Sequence, residues 1–248
     1  MTVNDILKYL DSLFPIDTAC DFDNVGLLVG NIEKEVKKVL IALDCSQKTV
    51  ENAVNSGCEL IITHHPVIFE PLKTVLENSV AYSLVKNEIS VISMHTNLDI
   101  ADKGVNSRLC EVLEIQNTEK VIASDGFTLK GGSISAISAQ EFAKHIKSKL
   151  NTTVKYIDCK KQISKVLVCS GSGGDFVKDA VNLGFDALVT SEVKHHQFLF
   201  AKDNNIAVFD AGHFETEDII VEPLKLMLAN KFPNIQFICE HPKNIKYC

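Results

Sequence analysis

The chain has no apolar run approaching the ~18 residues that a membrane span needs, and no Cys-x-x-Cys pair. Its eight cysteines, at 20, 45, 58, 110, 159, 169, 239 and 248, are never closer than nine residues. That spacing excludes a zinc ribbon and a dithiol redox site. Scattered, mostly apolar-flanked cysteines instead read as reduced core residues of a cytoplasmic protein. Positive charge is also short: 25 Lys and Arg against 32 Asp and Glu give a net charge of −7. Stable sequence-independent binding to nucleic acid is therefore not expected. There is no Gly-x-Ser-x-Gly and no aromatic-plus-basic stripe. Met1 to Phe14 carries Asp5 and Asp11 within a helical pattern, unlike a signal peptide. What is present, 46% hydrophobic and 23% charged residues over 248 positions, suits an ordinary globular chain that needs no staples.

The apolar spacing of Ile6, Leu7, Leu10, Leu13 and Phe14 predicts an opening helix that stops at Pro15. A turn-rich stretch from Asp21 to Gly30 follows. Then strands and helices alternate: strands at 39–43, 60–63 and 89–93, helices at 49–56 and 80–87. Ser138-Ala-Gln-Glu141 is a capping box opening a helix to about Leu150. Gly126, Gly131 and Gly132 mark loops. Continuous apolar strands alternating with helices imply an α/β fold with mostly parallel sheets covered on both faces.

The second half repeats the first. Shifted by 127 residues, Lys38–Thr63 lies on Lys165–Thr190 without a gap. Nine of 26 positions are identical, where composition alone gives about two. Any two βα units look somewhat alike, but a Gly, an Asn and a Thr in register favour a duplicated half. The expectation is two related three-layer α/β halves, 1–124 and 161–248, joined through 125–160 in one compact unit and facing each other across a pseudo-two-fold.

Every unusual polar cluster follows a predicted strand: His64-His65-Pro66, His95 to Asp99, Ser191 to His196, and Gly212 to Glu217. In open parallel sheets, ligands bind beyond the carboxyl ends of the strands. Adjacent His64 and His65 point apart and suit two ions roughly 3.5–4 Å apart better than one. A solvated loop pair is equally compatible. His213 and Glu217, four apart, share a helix face, although acids at a helix start are favoured anyway. Glu215 and Asp218 read as that decoration. Asp99 is either a turn former or a ligand beside a strand end. A histidine–carboxylate set without thiolate fits Zn, Mn, Fe(II), Co or Ni.

Weaker candidates surround these. Ser170, Gly171, Ser172, Gly173 and Gly174 precede a helix near Phe176, where free N–H groups would hold an anion, or a tight turn would form. His95, His195, His196 and Glu192 are candidate proton-transfer or orienting groups. His145 sits on a basic helix face, and His241 carries no functional reading.

These residues resemble the dinuclear-metal family known as the NIF-three-like proteins or GTP cyclohydrolase 1 type 2 homologues. The resemblance runs through Asp21-Phe-Asp-Asn-Val-Gly, Ala42-Leu-Asp44, Thr63-His-His-Pro66, His95-Thr-Asn-Leu-Asp99, Ser170 to Asp175, Thr190 to His196 and Gly212 to Glu217. It implies that His65 and Asp99 hold one ion, His64 and His213 the other, and Glu217 both. It also implies a toroidal homohexamer with metal sites facing its interior. In the α/β fold expected above, the metal site lies at the carboxyl ends of the strands between the halves. Phe22 stands where the family usually has tryptophan, a packing change. The Gly126–Gly132 segment lacks the glycine-arginine element of many members, and the insert domain of longer members is absent.

Two functions compete. One is a metal-dependent hydrolase whose ions activate water, with a purine nucleotide or another phosphate- or amide-bearing substrate. The other is a non-enzymatic metal-binding or regulatory scaffold.

Overall fold

The computed structural model describes residues 1–243 and 245. Its strands are β1 (Gly26–Val29), β2 (Lys38–Ala42), β3 (Leu60–Thr63), β4 (Ser90–Ser93), β5 (Gln116–Ile122) and β6 (Thr128–Ile137). They continue with β7 (Lys155–Ile157), β8 (Ile163–Val168), β9 (Ala187–Thr190), β10 (Ala207–Asp210) and β11 (Gln236–Cys239). The chain forms two compact units, Met1–Leu98 with the segment from Ile220 onward, and Asp99–Ile219.

The first unit holds a sheet ordered β1-β4-β3-β2-β11, parallel except where β1 meets β4. Alternate residues of its central strands are buried on both faces, as parallel strands under helices require. One face, with Leu40, Ala42, Ile61 and Val91, packs against Val50, Ala53 and Leu84 of two helices, Gln47–Ser56 and Val80–Lys86. The opening helix Val3–Leu13 has a capping box between Thr2 and Asp5.

The second unit holds a sheet ordered β5-β6-β8-β9-β10-β7. Only β8-β9-β10 are mutually parallel; β5, β6 and β7 add antiparallel pairings. This sheet is mixed, where the sequence predicts a mostly parallel one. Val166, Val168, Val189 and Phe209 face the helices Val105–Val112 and Ala139–Leu150, while Leu167, Leu188 and Val208 face Val177–Asn182 and His195–Asp203. Three layers result.

The duplication is exact at the level of hydrogen bonds. Val39 pairs with Leu60 and Val166 with Ala187, the same register after the shift of 127. Glu59 Oε2 accepts from the Lys38 N–H at 2.8 Å, and Asp186 Oδ2 from the Lys165 N–H at 2.9 Å. Gly57 and Gly184 both end their helices with positive φ, +68° and +74°, the left-handed position that glycine adopts at least cost.

The boundaries differ from those read in the sequence. Residues 125–160 are no connector: β6 pairs with both β5 and β8, and Phe142 and Ile146 are core residues of the second unit. The final strand, β11, returns to pair in parallel with β2 of the first unit. Gly131 and Gly132 sit within β6 rather than in loops. A Cβ on Gly131 would stand 2.6 Å from the Phe185 ring, so close packing, not a turn, explains it.

Candidate metal centre

In the first unit, three imidazoles gather at the ends of β3 and β4. Ring centroids lie 5.0 Å apart for His64 and His65, 5.1 Å for His64 and His95, and 5.6 Å for His65 and His95. One ligand nitrogen from each lies within 4.8 Å of the others. His64 Nδ1 is 2.9 Å from the Met94 carbonyl. A carbonyl only accepts, so Nδ1 carries the proton and Nε2 keeps its lone pair. His65 Nδ1 is held in the same way by Asp44 Oδ1 at 2.7 Å, and His95 Nδ1 by Asp23 Oδ1 at 2.9 Å. Asp23 also accepts from the Thr96 N–H and hydroxyl. Burial works to raise its pKa, but the bonds from His95 and Thr96 outweigh that and bring it down to about 2.

In the second unit, a histidine–carboxylate constellation lies at the ends of β8, β9 and β10. His213 and Glu217 share the short helix His213–Glu217, with His213 Nε2 3.0 Å from Glu217 Oε2. His213 Nδ1 lies 2.8 Å from Glu192 Oε1. Desolvation opposes ionisation of Glu192, yet its bond to His213 leaves the carboxyl below its ordinary range. The Ser170 hydroxyl donates to Asp99 Oδ1 at 3.2 Å, and Asp99 and Glu217 are both buried. Burial first, and then the nearness of these two carboxylates, pushes the Cys169 thiol far above its usual range. It stays protonated beneath them.

The glycine-rich segment serves this carboxylate rather than an anion. The N–H groups of Ser170, Gly171 and Gly173 donate to Asn106 Oδ1, Thr216 Oγ1 and Thr190 Oγ1. Gly171 has φ +61°, and a Cβ there would stand 2.0 Å from Glu217 Oε1. The loop is a cradle for Glu217, so the anion site read in the sequence at Ser170, Gly171 and Gly173 loses its donors. Ser172 bonds Glu192, and Gly174 packs against the Gln197 amide.

Other candidates fall differently. Glu192 positions His213. His195 and His196, at the start of their helix, are exposed. Glu215 is buried rather than a solvated helix-start acid. His145 is half-buried, its Nε2 donating to the Leu113 carbonyl. Phe22 is 66% exposed, and its ring stands 6.3 Å from that of Phe69. Sequence reasoning gave no role to Asp23 and Asp44, although both lie within the motifs that carried the resemblance.

The model of the Duf34/NIF3 (NGG1p interacting factor 3) family matches residues 1–244. The chain belongs to this family. Among curated relatives, the GTP cyclohydrolase 1 type 2 homolog of Clostridium perfringens is 34% identical over 228 residues, covering 88% of this chain and 87% of its own. That of Campylobacter jejuni is 33% identical over 236 residues, covering 93% of each. Among solved structures, the Staphylococcus aureus hypothetical protein SA1388 has a TM-score of 0.92 at 28% identity, covering 100% of this chain and 99% of its own. Reduced HcgD from Methanocaldococcus jannaschii has a TM-score of 0.85 at 28% identity, covering 96% and 97%. Among the described residues, no helix is long and apolar enough to cross a membrane.

The donors fit divalent ions. In His64 and His65, Nδ1 is engaged by an oxygen acceptor, which leaves Nε2 as the basic nitrogen; His213 lies between two carboxylates, Glu192 at Nδ1 and Glu217 at Nε2. Carboxylates and carbonyls that accept from Nδ1 in this way are the usual outer partners of metal-binding histidines.

Proposed function

We propose that His64, His65, Asp99, His213 and Glu217 together hold two divalent ions, of the Zn, Fe, Mn, Co or Ni class, and that the protein is a metal-dependent hydrolase. The engagement of all three imidazole Nδ1 atoms by protein oxygens carries this reading. Rings fixed in this way present Nε2 without paying to be ordered when the ion arrives. The family resemblance supports the pairing of His65 with Asp99, of His64 with His213, and the sharing of Glu217.

The ions, once bound, supply Lewis acidity toward an oxygen of the substrate and toward water. The chain's residues do the rest. Asp44 and Glu192 keep His65 and His213 in their binding tautomers, Ser170 orients Asp99, and Gly171 leaves room for Glu217. His95, anchored to Asp23 beside His64 and His65, is the group placed to hold or pass a proton there. The substrate class follows the relatives' names: a purine nucleotide such as GTP, opened with release of formate. The resemblance further suggests a homohexamer.

The deciding experiment is formate release from GTP by metal-loaded protein, against a His65→Ala control. Turnover above the control supports the hydrolase. Stoichiometric metal without turnover on nucleotide, phosphoester or amide substrates supports the non-enzymatic metal-binding role instead.

A further inference from the structure

In the first unit, a helix start and a strand end bring three different ligand types to one place. Glu222 lies in the first turn of the helix Val221–Lys231, Cys239 ends β11, and His241 follows two residues later. One ligand atom from each lies within 4.8 Å of the other two. His241 Nε2 stands 3.5 Å from Glu222 Oε1. Two ligands each ~2.1 Å from a tetrahedral ion stand about 3.4 Å apart, so this edge is already at binding length. The other Glu222 oxygen is held by Lys225 Nζ at 3.2 Å, which turns Oε1 toward the histidine. Cys239 Sγ lies 3.8 Å from the Val221 carbonyl, directly before Glu222 in the chain.

We propose that Glu222, Cys239 and His241 form a mononuclear site for a borderline divalent ion of the zinc class, independent of the histidine–carboxylate residues described above. On binding, the Cys239 proton leaves to the buffer as the metal–sulfur bond forms, and no redox partner is needed. The charges of a divalent ion, a thiolate and a carboxylate then cancel, and the histidine adds a neutral fourth term to a balanced site. Three protein ligands leave one position for water. The ion clips the end of β11 to the helix that precedes it.

A thiolate gives this site a signature that an oxygen and nitrogen site lacks: an intense sulfur-to-cobalt charge-transfer band in the near ultraviolet. Titrating the full chain with Co(II) should raise that band until it saturates at the intensity of one thiolate-bound cobalt per chain. Zn(II) should bleach it, since zinc binds such ligands more tightly than cobalt. Cys239→Ser should abolish the band, and Glu222→Gln or His241→Ala should weaken cobalt binding by about tenfold or more. No band in the wild-type chain, or a band that survives Cys239→Ser, overturns the proposal. As a check that needs no variant, Zn(II) should slow alkylation of Cys239 by iodoacetamide about tenfold; an unchanged rate also overturns it. Both readouts follow sulfur alone, so they stand or fall separately from the histidine–carboxylate centre.

Discussion

Gly171 and Glu217 occupy one space: the position a Cβ would take on Gly171 is 2.0 Å from Glu217 Oε1. Any side chain on Gly171 must push the carboxylate away, and its φ of +61° makes an L-residue strained in addition. Gly171→Ala is expected to weaken divalent-metal binding by roughly 10–100-fold and to destabilise the chain by about 1–2 kcal/mol. Metal titration and denaturant unfolding measure the two effects. Unchanged affinity would show that Glu217 does not need this cradle.

Asp44 holds His65 through a 2.7 Å bond to Nδ1. Asp44→Asn can present its amide group to Nδ1 and favour the wrong tautomer. The expected result is a loss of metal affinity of roughly 10–100-fold with the fold intact. Isothermal titration with Zn(II) beside a circular-dichroism melt separates the two.

Asp186 ties the start of β8 by accepting from the Ser164 and Lys165 N–H groups and from Lys161. Burial works against its ionisation, but these bonds win and lower it to about 2. A carboxyl depressed on folding contributes stability above its unfolded value near 4, and loses it as pH falls toward 2. Asp186→Asn should therefore cost about 2 kcal/mol at pH 7, with the gap to wild type closing between pH 4 and 2. Urea unfolding across that range is the measurement.

Gly131 has no room for a methyl group: a Cβ would meet the Phe185 ring at 2.6 Å and Val121 at 2.9 Å. Gly131→Ala should destabilise by about 1–3 kcal/mol through overpacking, without altering metal content. Loss of metal in this variant would mean that its effect reaches the site.

Much of the fold is legible in sequence because short apolar runs bounded by polar turns have few alternatives. The run 60–63 is a strand with those same limits, and the repeat that carries it onto β9 reappears as one hydrogen-bond register. Strand β5 carries no such signal, since Gln116–Ile122 is a mostly exposed edge of polar residues. Strand β11 is short, and its partner β2 lies nearly the whole chain away; local pattern cannot reveal such a pairing. The histidines announce themselves by following strands. Asp44 and Asp23 do not, because an orienting carboxylate is defined by where its oxygen points. The glycine-rich segment was misleading for a related reason: its N–H groups look available until Asn106, Thr190 and Thr216 are found accepting from them.

The central claim is that five side chains hold two ions, and metal content tests it most directly. Elemental analysis should be run on the Cys239→Ser chain, so that a thiolate site cannot contribute, after dialysis against a weak chelator. The account predicts two divalent ions per chain, falling to one or none in Glu217→Gln on the same background. A folded chain that retains no stoichiometric metal, or a content unchanged by Glu217→Gln, would contradict it.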